Sequence, residues 1–292
     1  MKMRTVILLL TLLASCAEAE KVADVSCDPP PGWESVADDT RGRYLVIGEL
    51  HGTAEIPATV GEYICAVSTE PTLLAIEWYA FNNDSLQRAL AEEGDLRANL
   101  DTHVPGWNDR SDGIASEAML DLIERTRDLR RAGRPVDIVA FNGAREDAQD
   151  AKFSHLPGQE PHEASQAENI RLAREAGNYS HVVTLVGNIH ARKQPFGNGD
   201  AAWEPMAMKL APPDEVVSLI ATHSGGTSWN CTVPPDFDFE NEEITKDVLD
   251  CSGKETSGIH YGDPGFDTPA DLPDYHDGIL HVGPVTASPP AE

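Results

Sequence analysis

Apolar positions along the chain alternate between short unbroken runs and longer periodic stretches. Tyr44–Ile47, Thr72–Ile76, Val136–Phe141, Val182–Val186 and residues 216–221 are runs of β-formers with hardly a polar position. They are too short for helices, and an apolar residue at nearly every step marks a strand buried on both faces. Between them the period becomes helical. Ile56, Val60, Ile64 and Val67 share one face, with Thr53 as the expected cap and Pro57 in the first turn. A helix opening at Asn82, Asn83 or Asp84 runs through Glu93 to Gly94. The clearest helix spans 115–132, striped by Ala115, Met119, Leu122, Ile123, Thr126 and Leu129 and closed by Gly133. Helices at 162–176 and near 204–211 follow. This alternation from 43 to 221 predicts an α/β fold, a mostly parallel central sheet with helices on both faces.

The remainder is less periodic. Residues 16–40, with Pro29-Pro30-Pro31-Gly32, are expected to be a tether, and 41–288 a single domain. Residues 95–113 read as an irregular loop around Trp107, a lid or pocket wall. Residues 224–277, rich in Gly, Pro, Asp and Ser, read as an irregular insertion pinned by Cys231 and Cys251. Gly278–Val282 is a last short strand, and 284–292 is expected to fray.

The candidate chemistry lies where strands end. The first strand runs into Gly48-Glu49-Leu50-His51 and the fourth into Gly187-Asn188-Ile189-His190, while the second ends in Glu77. Ligands of open α/β sheets sit at the carboxyl ends of the strands, so both imidazoles are expected at one edge. Glu49, His51, Glu77 and His190 are therefore the candidate catalytic residues. Two imidazoles with one or two carboxylates can bind a divalent metal that acidifies a water. Without a metal, the same four residues can serve as general base, general acid and orienting partners.

Composition narrows the partners. A formal charge of −27 over 292 residues argues against nucleic acid, whose phosphates it would repel. The N-terminus reads as an export signal, with Lys2 and Arg4 before the apolar stretch Val6–Leu13. Leu13-Ala14-Ser15-Cys16 resembles a bacterial lipobox, which implies removal of 1–15, acylation of Cys16 and a membrane-anchored lipoprotein, periplasmic or at the outer membrane. Loss of Lys2 and Arg4 with that leader takes the charge from −27 to −29. The competing expectation is cleavage after Ala19 and a soluble periplasmic protein. With Cys16 acylated, four cysteines remain, and an even number in an exported chain suggests two disulfides. Of three pairings, Cys27–Cys65 and Cys231–Cys251 join sequence neighbours and are favoured.

Gly48-Glu49-Leu50-His51-Gly52, Ile76-Glu77-Trp78 and Gly187-Asn188-Ile189-His190 together resemble the erythromycin-esterase, haem-uptake (ChaN-like) and Tiki superfamily. Asp277–Val282 with Val285–Ser288 resembles the end of its erythromycin-esterase branch. The resemblance implies an α/β fold and a site on the two Gly-x-x-His motifs. It also implies one of several activities: a hydrolase of ester or amide bonds acting on a small molecule or peptide, in some members metal-dependent, or a haem-binding lipoprotein. Where the family often carries an arginine–acid pair this chain has His162-Glu163, and Asn142 stands where a family strand carries aspartate. His162, Glu163 and Asn142 are accordingly expected to bind substrate, without the fixed cation an arginine would supply.

Overall fold

The computed structural model describes residues 25–234, 237, 248–259, 262–269 and 271–291. The leader expected at 1–15 and the acylated Cys16 lie outside the described residues. Each apolar run forms a strand: β1 (Tyr44–Glu49), β2 (Thr72–Tyr79), β3 (Val136–Asn142), β4 (His181–Gly187) and β5 (Val216–Thr222). With β8 (Gly265–Asp267) and β9 (Gly278–His281) they make a seven-stranded sheet in the order β3-β2-β4-β1-β5-β9-β8. All neighbours pair in parallel except β8, which is antiparallel to β9 at the edge.

The unbroken runs are explained by two cores. Successive strand residues point to opposite faces. Leu45, Ile47, Leu74, Ile76 and Trp78 pack on one side against α2 (Glu55–Val67) and α5 (Glu117–Arg131). Tyr44, Val46, Leu73, Ala75, Val182 and Val186 pack on the other against α7 (Glu160–Ala176) and α8 (Met206–Leu210). Both disulfides form, Cys27–Cys65 and Cys231–Cys251. Among the described residues no helix is long and apolar enough to cross a membrane.

Several expectations are corrected. The tether does not reach residue 40. Trp33–Thr40 is helix α1, Phe266 donates to the Pro31 carbonyl at 2.9 Å, and Cys27 is bonded to α2. Thr53 does not cap α2, because its hydroxyl donates to the Leu50 carbonyl at 3.2 Å. The loop expected at 95–113 begins as helix α4 (Leu96–His103), capped by Asp95, with Leu96 and Leu100 buried four positions apart. Within the insertion, β6 (Gly226–Thr232) and β7 (Asp250–Thr256) form an antiparallel ribbon that sets Cys231 opposite Cys251.

The tail does not fray either. Ser288 donates its N–H to the Gly52 carbonyl and Ala291 to that of Ala115, each at 2.9 Å. The Ser288 hydroxyl accepts the Ala118 N–H, and Glu55 takes both donors of Thr286 at 2.8 and 2.7 Å. Two of these five bonds join backbone to backbone, and the side chains used by the other three, on Ser288, Glu55 and Thr286, form no periodic pattern that would announce them.

Candidate active site

β2, β4 and β1 are adjacent, and their carboxyl ends carry Glu77, Gly187 and Glu49. Gly187 pairs with Glu49 in the register of β1 and β4, and its missing side chain makes the site. A Cβ there would stand 2.9 Å from His51 Nε2 and 3.6 Å from Glu77 Oε2. Through that gap the Glu77 carboxylate, on β2, accepts the Gly187 N–H at 2.7 Å and meets His51 Nε2 at 3.3 Å. Its other oxygen lies 4.0 Å from His190 Nε2.

Each imidazole is held from behind by a second carboxylate. His51 Nδ1 is 2.8 Å from Glu49 Oε1, and His190 Nδ1 is 2.8 Å from Glu163 Oε2. The groups therefore alternate: Glu49, His51, Glu77, His190, Glu163. The outer acids are sealed, Glu49 being 2% and Glu163 0% exposed, while the His51 and His190 side chains keep 27% and 20% of their surface. Solvent reaches the rings and not the acids behind them.

Electrostatics follows from this alternation. Burial on its own would lower the pKa of His51, but the charges of Glu49 and Glu77 and hydrogen bonds to both raise it well above the ordinary 6.5. Burial would raise that of Glu77, but His51 beside it, with His190 and the Gly187 N–H, pulls it down to about 2. In His190 burial is again outweighed, by the hydrogen bond to Glu163 and the charge of Glu77, and its pKa rises.

The metal expected on His51, His190, Glu49 and Glu77 does not fit this donor arrangement. Glu49 is turned onto the Nδ1 of His51, and Glu77 is occupied by a backbone N–H and an imidazole. Among the described residues no group of three or more His, Cys, Asp or Glu side chains is placed to hold a metal ion. Glu163 is also corrected. Its Oε2 accepts from His190 and from the Met206 N–H at 2.8 Å, so it holds a ring in place and is itself sealed from solvent. Asn142 and His162 are bridged by Gln166, whose Nε2 is 3.0 Å from Asn142 Oδ1 and from His162 Nε2. The His162 ring stands 6.2 Å from that of His190, and burial lowers its pKa.

Three neighbours escape a reading of the sequence. Gln166 lies on α7 one turn beyond His162, and Trp203 has its ring 6.2 Å from His190. Arg110, in the loop after α4, lies 5.7 Å from the Trp78 ring centre and 5.1 Å from that of Tyr79. Asp112 grips it by Nε at 2.9 Å and by Nη2. Burial opposes its charge, but Asp112, Tyr79 and Glu77 raise its pKa further. Only the aromatic residues at the end of β2 hinted that a cation would settle there.

No protein-family model and no curated protein matches the sequence. Solved structures do match. A histidine-to-asparagine mutant of the erythromycin esterase EreC in its open conformation superposes with a TM-score of 0.55 at 12% identity, over 89% of this chain and 91% of that one. A Bacillus cereus protein gives 0.54 at 10%, over 89% and 92%. A succinoglycan biosynthesis protein gives 0.54 at 13%, over 88% and 91%. The chain thus has the fold of erythromycin esterase EreC and of these two proteins, which is the fold its motifs led us to expect.

Proposed function

We propose that this chain is a hydrolase that cleaves an ester or amide by acid–base catalysis, exported and anchored to a membrane through Cys16. The observation that carries the proposal is the pair of reachable imidazoles, each fixed at Nδ1 by a sealed carboxylate and each turning Nε2 toward Glu77. A hydrogen bond at one ring nitrogen sets what the other can do. With its Nδ1–H on Glu163, neutral His190 has a lone pair at Nε2 and serves as the base. His51, the more strongly protonated of the two, donates from Nε2 and serves as the acid. Environments that push paired titratable groups apart divide the two roles in this way.

His190 takes a proton from water as the oxygen adds to the substrate carbonyl, and the C=O electron pair moves onto oxygen. When the C=O bond re-forms, the bond to the leaving alcohol or amine breaks and His51 supplies its proton. Ionised Glu77 keeps both rings in place. The two disulfides support an oxidising, exported setting.

The test is turnover of a panel of aryl, alkyl and lactone esters and short peptides by purified protein. His51→Ala and His190→Ala should each abolish turnover of whatever wild type cleaves. A double variant as active as wild type would sink the proposal.

A further inference from the structure

Arg110 is a cation at the site for which the acid–base chain has no use. We propose that Arg110 is a catalytic residue that binds the oxyanion formed when water adds to the substrate carbonyl. This rests on the hydrolase proposal and deepens it.

The chemistry needs such a group. Glu49, Glu77 and Glu163 cluster around the reacting centre, and a negative oxygen growing beside them is opposed unless a donor is aimed at it. His162 stands where the resemblance led us to expect an arginine, and burial keeps it from being a fixed cation. Arg110 comes from a different element, packs on the Trp78 ring next to Glu77, and belongs to a loop that lies against the His51 turn, where a Cβ on Gly113 would stand 2.7 Å from the His51 carbonyl carbon.

It is also preorganised. Nε and Nη2 are occupied by Asp112, whereas Nη1 has no hydrogen-bond partner among the described residues. The guanidinium packs on Trp78 and Tyr79, and its side chain keeps 16% of its surface. Its loop is riveted by Trp229, which donates Nε1–H to the Ser111 carbonyl at 2.9 Å and its backbone N–H to the Gly52 carbonyl at 2.8 Å. Ser111 follows Arg110 and Gly52 follows His51. A single tryptophan of the disulfide ribbon therefore ties the loop that carries Arg110 to the turn that carries His51. A donor fixed in advance spends no energy on reorganisation when charge appears.

Two measurements test this. In the first, Arg110→Ala and Arg110→Lys are compared with wild type on the best ester of the panel. We expect kcat to fall by at least about 100-fold in both, with KM little changed and partial rescue of Arg110→Ala by guanidinium ion. Near-ultraviolet circular dichroism of the buried tryptophans controls for folding. An unchanged kcat overturns the assignment, as does a loss confined to KM, which would mean that Arg110 grips a substrate carboxylate. The second needs no turnover: calorimetric binding of phenylphosphonate, a tetrahedral anion. Wild type should bind it and Arg110→Ala at least about tenfold more weakly, and equal binding or none by wild type also overturns the assignment. Inactivity of wild type on the whole panel, with phenylphosphonate bound through Arg110, would count against the hydrolase proposal and not against the anion site.

Discussion

His51 Nε2 and Glu77 Oε2 stand 3.3 Å apart above a strand to which neither belongs. They meet because Gly187 of the intervening β4 has no side chain. Gly187→Ala would put a methyl group 2.9 Å from the ring nitrogen and push the pair apart. A displacement of about 1 Å in a catalytic group costs on the order of 100-fold in rate. We therefore expect kcat to drop by about that factor while the fold survives, checked by steady-state kinetics and thermal melting. A fully active alanine variant would mean that this contact is not needed.

The pH–rate profile should be alkaline. His190 must lose its proton to act as base, and its pKa is raised above 6.5, so activity should climb only beyond ordinary imidazole titration. His51, raised more strongly, must keep its proton, so a second limb should fall at still higher pH. A kcat/KM that is already maximal below pH 6 would contradict this division of roles.

Stability should move the other way. A group whose pKa is raised on folding stabilises the protein below its unfolded pKa, and that contribution disappears as pH climbs through the folded value. For His51 and His190 the loss is therefore on the alkaline side of 6.5. Glu77, lowered from 4.5 to about 2, stabilises above 4.5 and loses this as pH falls toward 2. Chemical denaturation across pH should place the network's largest contribution between about 4.5 and 6.5, with His51→Ala/Glu77→Ala flattening both flanks.

Glu163→Gln retains volume but removes the charge that fixes His190. An amide can donate to the ring and favour the wrong tautomer, as in catalytic triads with an amide in place of the acid, where losses reach about 10⁴-fold. We expect kcat to fall by about 100-fold or more with KM nearly unchanged. Equal kcat in the variant and wild type would remove Glu163 from the mechanism.

Turnover should survive prolonged dialysis against chelator, since the carboxylates are committed to imidazoles and backbone. Haemin titration should give no Soret band, since Nε2 of each reachable imidazole is turned toward Glu77. Loss of activity restored by one divalent ion would reinstate a metal, and a saturable Soret band would favour a carrier.

The sheet was legible because both faces are buried. Tyr44–Ile47 and Val182–Val186 have no polar side to disguise them, and a glycine marks each strand end, Gly187 as the last residue of β4 and Gly48 as the last but one of β1. Glu49, His51, Glu77 and His190 were legible as strand-end residues, and the structure brings the four together. Their division into reachable rings and sealed acids was not, since that depends on how α7 packs and sets Glu163 behind His190. Arg110 was hidden because an arginine in an aperiodic loop carries no signal until the loop closes on Trp78 and Tyr79.

The bonds from Thr286, Ser288 and Ala291 to Glu55, Gly52 and Ala115 have a consequence for biogenesis. Glu55 and Thr286 are 231 residues apart, so the floor beneath the first histidine motif stays unfinished until nearly the whole described chain has left the ribosome and, on the export proposed above, the membrane channel. A nascent chain threaded through a membrane would carry its reactive groups in an unassembled, inert state. Proteolytic trimming within 285–291 should then silence the mature protein without touching a residue that takes part in bond cleavage.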